Sequence, residues 1–241
     1  MFGLTTWFTI GTLGMVVGTA MLAYGILLVP TERRRQLALA ALVPAIAAVA
    51  YGLMALGIGG LATADGGTVF VPRYVDWLLT TPIHVALVAL IVGASTRAIA
   101  RLAALQAATI VLGFVGATLA APLNWLLYLA GSAGFAAVVY LLYTEIEAVA
   151  DDEPDDVAAL FRKLRAFVVV LWLVYPVIWL VGPAGFEVMD LETTALVVTY
   201  IDVVAKVGFG LIAINDFVKM AAATDETADV DAVGGDAQVA D

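Results

Sequence analysis

The sequence predicts an all-α membrane protein: a bundle of seven transmembrane helices with an extracellular N-terminus and a cytoplasmic C-terminus. Three observations carry this. Of the 241 residues, 63% are hydrophobic and 13% charged, and the mean hydropathy is +1.03, whereas a soluble domain is about half apolar and a quarter charged. The apolar residues fall into seven runs, each near or above the roughly 20 residues a helix needs to cross a bilayer. The Arg and Lys residues gather almost wholly in alternate loops.

The first run, 3–29, lacks the basic start and small-residue cleavage pattern of a removed signal peptide, so it reads as a retained span. Arg33, Arg34 and Arg35 separate it from the second, 36–58. The loop "GLATADGGTVFVP" carries Asp65-Gly66-Gly67 between β-branched and apolar residues and reads as a short hairpin outside the membrane. The third run is 72–93, and the fourth, 97–119, opens on Arg97 and Arg101. The fifth is 122–147, the sixth, 158–181, has Arg162, Lys163 and Arg165 at its start, and the seventh, 192–219, closes on Lys219. Runs of this length are helices, because lipid offers no partner to an unpaired backbone group. Seven crossings place all these basic sites on one side, the cytoplasmic one. Only Arg73 and Lys206 are left, at the edge of a span or within one.

The formal net charge is −10. Most of the acid lies in "EIEAVADDEPDD" (145–156) and in the tail "DETADVDAVGGDAQVAD" (225–241), both read as solvated polar segments that suit a high-salt cytoplasm. The chain divides into a transmembrane domain, 1–221, and an acidic, disordered cytoplasmic tail, 222–241, with no separate soluble domain. No basic patch points to nucleic acid. The absence of cysteine excludes disulfides, thiolate metal sites and thiol catalysis.

Lys206 stands inside an apolar run, where an ammonium group costs roughly 2.5–3.5 kcal/mol on insertion scales and such residues pair and serve function. Asp202, four residues earlier, shares its helix face. In "RYVDWLLTTPIHVAL" the residues Arg73, Asp76, Thr80, His84 and Leu87 step by three, four, four and three and line one face. Two cations and two anions brought together make a formally neutral set, as a buried charge cluster must nearly be. The residues leave three readings level: a structural ion cluster, an ion or proton path, and a desolvated amine ready to form a Schiff base with a carbonyl compound. Trp172, Tyr175 and Trp179 make one aromatic face of span six, and Trp77 follows Asp76. A wall of rings facing a lysine suits a long, flat apolar ligand with one carbonyl end.

"RYVDWLLTTP", "LWLVYPVIWLVGP" and "IDVVAKVGFG" resemble the third, sixth and seventh helices of the haloarchaeal retinal proteins, the type 1 microbial rhodopsins, and the likeness runs through all seven spans. The resemblance implies a photoreceptor of the cell membrane that carries retinal as a protonated Schiff base on Lys206. It implies Asp76 as primary counterion and proton acceptor, with Asp202 and Arg73 completing the cluster, Thr80 bonded to Asp76, and Tyr51 and Tyr175 as hydrogen-bonding neighbours. Trp77, Trp172 and Trp179 would sandwich the polyene, and Thr109, Gly113, Tyr128, Gly131 and Phe135 would surround its ring end. A protonated Schiff base needs an anion nearby to stay charged in low dielectric, and a light-driven change in the charge of that cluster is a trigger for helix movement.

Pumps of this family carry a second carboxylate on span three; the matching position is Leu87, which cannot donate a proton. Their outer acidic positions match Ala184 and Thr194 here. The opening "MFGLTTWFTIGTLGMVVGT" resembles the start of the sensory rhodopsin II group, and Tyr200 matches a tyrosine that in that group faces the transducer. These likenesses imply a phototaxis receptor that signals through a methyl-accepting, two-helix membrane transducer. Ala205 departs from that group, which has threonine there, and leaves an intermediate "middle rhodopsin" open. A slow outward proton pump is the alternative; a halide pump is disfavoured by Asp76, and an enzyme by the lack of a water-facing acid–base partner for Lys206. His84, the single histidine, has two readings: a hydrogen-bonded core residue, or a group beside the polyene that sets colour and exchanges protons. Colour, sign of the response and homo-oligomeric state are not written in these residues.

Overall fold

The computed structural model describes residues 3–238, with side chains placed through residue 223. Its helices are α1 (Leu4–Gly25), α2 (Thr31–Ala55), α3 (Val71–Ile91), α4 (Thr96–Thr118), α5 (Leu123–Tyr143), α6 (Glu145–Ala150), α7 (Asp155–Trp172), α8 (Val174–Val181) and α9 (Leu191–Gln238). Seven helical segments are long and apolar enough to cross a membrane; α5 with α6 makes the fifth, α7 with α8 the sixth, and Leu191–Ala223 the seventh. The seven-span, all-helical membrane bundle read from the sequence is therefore the fold. The tail assigned to 222–241 lies, from 224 on, outside the residues whose side chains are described.

Local chemistry sets the ends. Ser95 caps α4 by accepting the Ala98 N–H at 3.2 Å. Pro30 and Pro154 precede α2 and α7, and Asp155 and Asp156 place negative charge at the positive end of α7. At α9 the Asp190 carboxylate accepts the Thr193 N–H at 2.7 Å; that cap holds its carboxyl below the usual carboxylate range. The sixth span breaks after Trp172, because Pro176 has no N–H to offer the Trp172 carbonyl. The fifth breaks at Thr144, with φ −122° and ψ −74°. Between α2 and α3 lies the hairpin, β1 (Gly60–Ala62) paired antiparallel with β2 (Thr68–Phe70) in the register Gly60↔Phe70, Leu61↔Val69, Ala62↔Thr68. Gly66 sits in its turn at φ +88°, where a side chain would be strained.

The acidic run 145–156 is not simply a solvated segment. Glu145 pairs with Arg101, Glu147 with Arg162 and Arg165, and Asp151 with Arg162 at 2.6 Å. Lys163 pairs with Asp216 of α9. Basic and acidic residues that lie in separate stretches of sequence meet at one end of the bundle.

Each span packs on the next, and α9 closes the ring against α1 and α2. Large apolar side chains such as Leu13, Val17, Leu129 and Val170 face outward, at 57–64% exposure. Asp76, Thr80, His84, Asp202 and Lys206 are buried. This is the arrangement a lipid solvent imposes. The α1–α9 contact runs through small residues: a Cβ at Gly14 would meet Val203, at Gly18 Val207, and at Gly25 Ile214. At Gly18 the Cβ would stand 2.2 Å from a Val207 methyl, which its stiff χ1 cannot swing aside. Gly18→Val is expected to lower stability by about 1–3 kcal/mol through overpacking. Thermal melting of the detergent-purified variant checks this, and an unchanged midpoint contradicts it.

Candidate functional site

The charged cluster sits where α3 and α9 pass each other. The Lys206 Nζ lies 2.5 Å from Asp76 Oδ2 and 3.4 Å from Asp202 Oδ2, and the three side chains are 0–3% exposed. Asp76 and Thr80 are one turn apart on α3, and the Thr80 hydroxyl donates to Asp76 Oδ1 at 3.2 Å and to its backbone carbonyl at 2.8 Å. Asp202 accepts from three other side chains: the Tyr51 hydroxyl at 2.7 Å, the Tyr175 hydroxyl, and the Trp77 indole N–H at 3.2 and 3.3 Å to its two oxygens. Helices α2, α3, α8 and α9 thus each send a group to one carboxylate. The two anions differ in kind. Asp202 accepts from three neutral donors, whereas Asp76 is held by Lys206 and Thr80.

Arg73 does not complete this cluster by direct pairing. Among the described residues it forms no ion pair with either carboxylate. It is 6% exposed, and its guanidinium carbon stands 5.6 Å from the rings of Phe8 and of Phe70. Its Nε and one terminal nitrogen have no hydrogen-bond partner.

Beside Lys206 opens a cavity of about 200 Å³. Its wall includes the rings of Trp77, Trp172, Tyr175 and Trp179, together with His84, Thr109, Gly113, Tyr128, Gly131 and Phe135. Trp179 stacks on Tyr128 at 4.6 Å and 21°, and Tyr175 meets Trp77 edge to face at 5.1 Å. Tyr51 is not on this wall; it stands behind Asp202. A Cβ added at Gly113 would touch nothing within 4 Å. The cavity therefore has a flat aromatic lining, room at Gly113 and one amine at its wall: the chemistry of a site for a long conjugated aldehyde joined to Lys206.

Polar residues on this wall that the sequence reading passed over include Thr81, Gln106 and Ser132. Gln106 donates to the Thr81 hydroxyl at 3.1 Å, and its own carbonyl oxygen is buried without a partner. A lone amide in the apolar run of span four was the available signal. His84 is 2% exposed and packed edge to face against Trp172 and Phe209, at 5.9 and 4.8 Å. The ring is thus packed in the core as read, but neither nitrogen finds a hydrogen-bond partner among the described residues. Leu87 is buried in the apolar half of the core. Tyr200 lies on the outer surface of α9, 69% exposed.

The sequence profile of bacteriorhodopsin-like proteins matches residues 2–220. The chain is 51% identical to sensory rhodopsin-2 of Haloarcula vallismortis over 234 residues, covering 97% of this chain and 99% of that one. It is 37% identical to sensory rhodopsin-2 of Natronomonas pharaonis, over 89% and 90% of the two chains. The crystal structure of the thermophilic rhodopsin of Rubrobacter xylanophilus superposes with a TM-score of 0.85, at 32% identity, over 90% of this chain and 99% of that one. A likeness that holds through every span, in sequence and in fold alike, makes this chain a member of the bacteriorhodopsin-like family, akin to the sensory rhodopsins.

Proposed function

We propose that this chain is a retinal photoreceptor of the sensory rhodopsin II kind, with Lys206 as the attachment point. One observation carries the reading: a buried lysine nitrogen 2.5 Å from a buried carboxylate, at the wall of an aromatic cavity. Retinal, when bound, supplies absorption of visible light and a light-driven change of shape. The chain's own residues do the rest. Trp77, Trp172 and Trp179 grip the polyene, and Gly113 and Gly131 leave space for its ring. Asp202, fixed by Tyr51, Tyr175 and Trp77, keeps a negative charge in place. Asp76 balances the charge on the Lys206 nitrogen in the dark and accepts its proton in the light. That transfer removes a facing pair of charges from the centre of the bundle, between α3 and α9, and biases the helices toward another packing.

The receptor reading rests further on Leu87 and Tyr200. Leu87 cannot return a proton to the centre quickly, so the lit state is long-lived. Tyr200 presents a hydroxyl-bearing ring to the membrane, where the helix of a two-helix transducer can meet it. The orientation that suits this function puts the Arg33–Arg35, Arg101 and Arg162–Arg165 end in the cytoplasm, by the excess of basic residues there.

A test is to reconstitute the protein with all-trans retinal in lipid vesicles and follow external pH and photocycle time under illumination. Little net transport, a slow cycle, and a change of about tenfold or more when a cognate transducer is present support the receptor. Fast, sustained acidification without a transducer supports the alternative, an outward proton pump, which the Lys206–Asp76 pair can equally serve.

A further inference from the structure

His84 is a titratable group that the proposed site does not yet use, and its surroundings are unusual. It is the single histidine of the chain and is buried, with both ring nitrogens unpartnered. A buried polar group left unpaired is costly and calls for an explanation. The ring stands on the wall of the cavity that Lys206 shares.

Its place along the bundle is defined by contacts. Asp76, Thr80 and His84 follow at four-residue steps on α3, so His84 lies about 12 Å beyond Asp76 along the axis. Helix α9 runs alongside: Lys206 reaches Asp76, while Phe209, one turn further on, packs against His84. Asp76 therefore contacts the Lys206 nitrogen, and the imidazole lies further along the same cavity wall, out of hydrogen-bond reach of that nitrogen. Beyond His84, toward the basic end of the bundle, a void of about 10 Å³ lies among Leu87, Ile91, Phe209 and Phe217, with an apolar lining that offers a water no partner. Arg33 lies over the outer side of Phe217, 5.1 Å from its ring.

We infer that His84 is the proton-transfer partner of the Lys206 nitrogen on the side away from Asp76, returning to it the proton lost in the light. This rests on the retinal reading given above. The steps balance. The proton on the Lys206 nitrogen moves to Asp76 Oδ2, leaving a neutral nitrogen and a carboxylic acid. His84 then takes one proton from the aqueous phase at the Arg33–Gln36 end, past Leu87 and Phe209, and becomes an imidazolium. The imidazolium gives its N–H proton to a water in the cavity, which passes one of its own to the Lys206 nitrogen; that nitrogen regains its charge, the imidazole is neutral again, and Asp76 returns to a carboxylate by releasing its proton on its own side. The charged groups that act on His84 are those of α9, Lys206 and Asp202, with Asp76 two turns away on α3; α7 presents Trp172 to it. Burial of the ring opposes its charging throughout, and the charged Lys206 nitrogen opposes it further until that charge has gone to Asp76. The order of events is thus built into the cluster, and the apolar Leu87–Phe209 barrier sets its slowness.

The test uses retinal-loaded wild type, His84→Gln and His84→Leu, with flash-induced recovery of the visible band recorded from about pH 5 to 9. Wild type should recover faster than either variant at every pH, its rate falling as pH rises because the imidazole draws its proton from the aqueous phase. Both variants should be slower by about a hundredfold and slow further as pH rises, since direct uptake follows proton concentration. His84→Gln keeps polarity and loses only titration, so its recovery within about twofold of wild type, with the same pH profile, overturns the proposal. A second readout needs no retinal. In Lys206→Met labelled with ring-¹⁵N histidine, the single pair of imidazole resonances should move with pH; resonances flat throughout overturn the proposal, because a ring that takes no proton with its cationic neighbour removed cannot pass one on. A wild type that stays colourless with retinal overturns the photoreceptor reading itself, and this inference with it, whereas a coloured wild type with an unaffected His84→Gln overturns this inference alone.

Discussion

Lys206→Met, given all-trans retinal, is expected to form no visible pigment at all. No other lysine among the described residues reaches the cavity wall; Lys163 is held by Asp216 at the far end of α7 and Lys219 lies near the end of the seventh span. The ultraviolet–visible spectrum after retinal addition checks this, with circular dichroism to show that the helices remain. The substitution also leaves Asp76 and Asp202 buried without their cation, which costs about 3–5 kcal/mol when one member of a buried pair is removed. A lowered melting temperature should therefore accompany the loss of colour. A variant that turns as coloured as wild type would refute the attachment site and, with it, the functional reading.

Asp76→Asn is expected to keep colour but lose the light-driven proton transfer. The amide fills the same space, so Thr80 and Lys206 keep a neighbour, but an amide oxygen does not accept the proton at any working pH. The Lys206 nitrogen then has only Asp202 as counter-charge, at 3.4 Å, and Asp202 is already engaged by Tyr51, Tyr175 and Trp77. An anion near the nitrogen favours the dark state, where the positive charge is localised there. Removing it should move absorption to longer wavelength. Flash spectroscopy is the measurement: formation of the deprotonated species should drop at least about a hundredfold, the scale of losing a positioned proton acceptor. An unchanged yield of that species would assign the acceptor role to Asp202 instead.

Several of these expectations were open to the eye in the chain itself. Seven runs of near-constant length, and basic residues in alternate loops, follow from hydropathy, which each segment displays alone. The four-residue steps from Asp76 to Thr80 to His84, and from Asp202 to Lys206, follow from helical period. The aromatic face of Trp172, Tyr175 and Trp179 is a spacing as well, and all three rings stand on the cavity wall. Other features were not open in this way. Arg73 counts as a cation of the cluster by charge and face, yet its guanidinium lies over the touching rings of Phe8 of α1 and Phe70 of β2. Position on a helix face does not say which neighbour fills the space beside it. The acidic run 145–156 looks like a solvated loop because its partners, Arg101, Arg162 and Arg165, stand elsewhere in the sequence.

The sequence by itself determined the number of spans, their length, the one face of α3 and of α9 that carries charge, and the presence of a lysine that lipid cannot solvate. Only the tertiary structure decided that Asp76 and not Asp202 is the nearer carboxylate to Lys206, that three donors from three helices converge on Asp202, and that His84 has no partner for either nitrogen. The reason is physical: hydropathy and period are properties of one helix, whereas a distance between side chains depends on how far each helix is rotated and set against its neighbours. That is fixed by contacts such as those of Gly14, Gly18 and Gly25 with α9, which exist only once the bundle has closed.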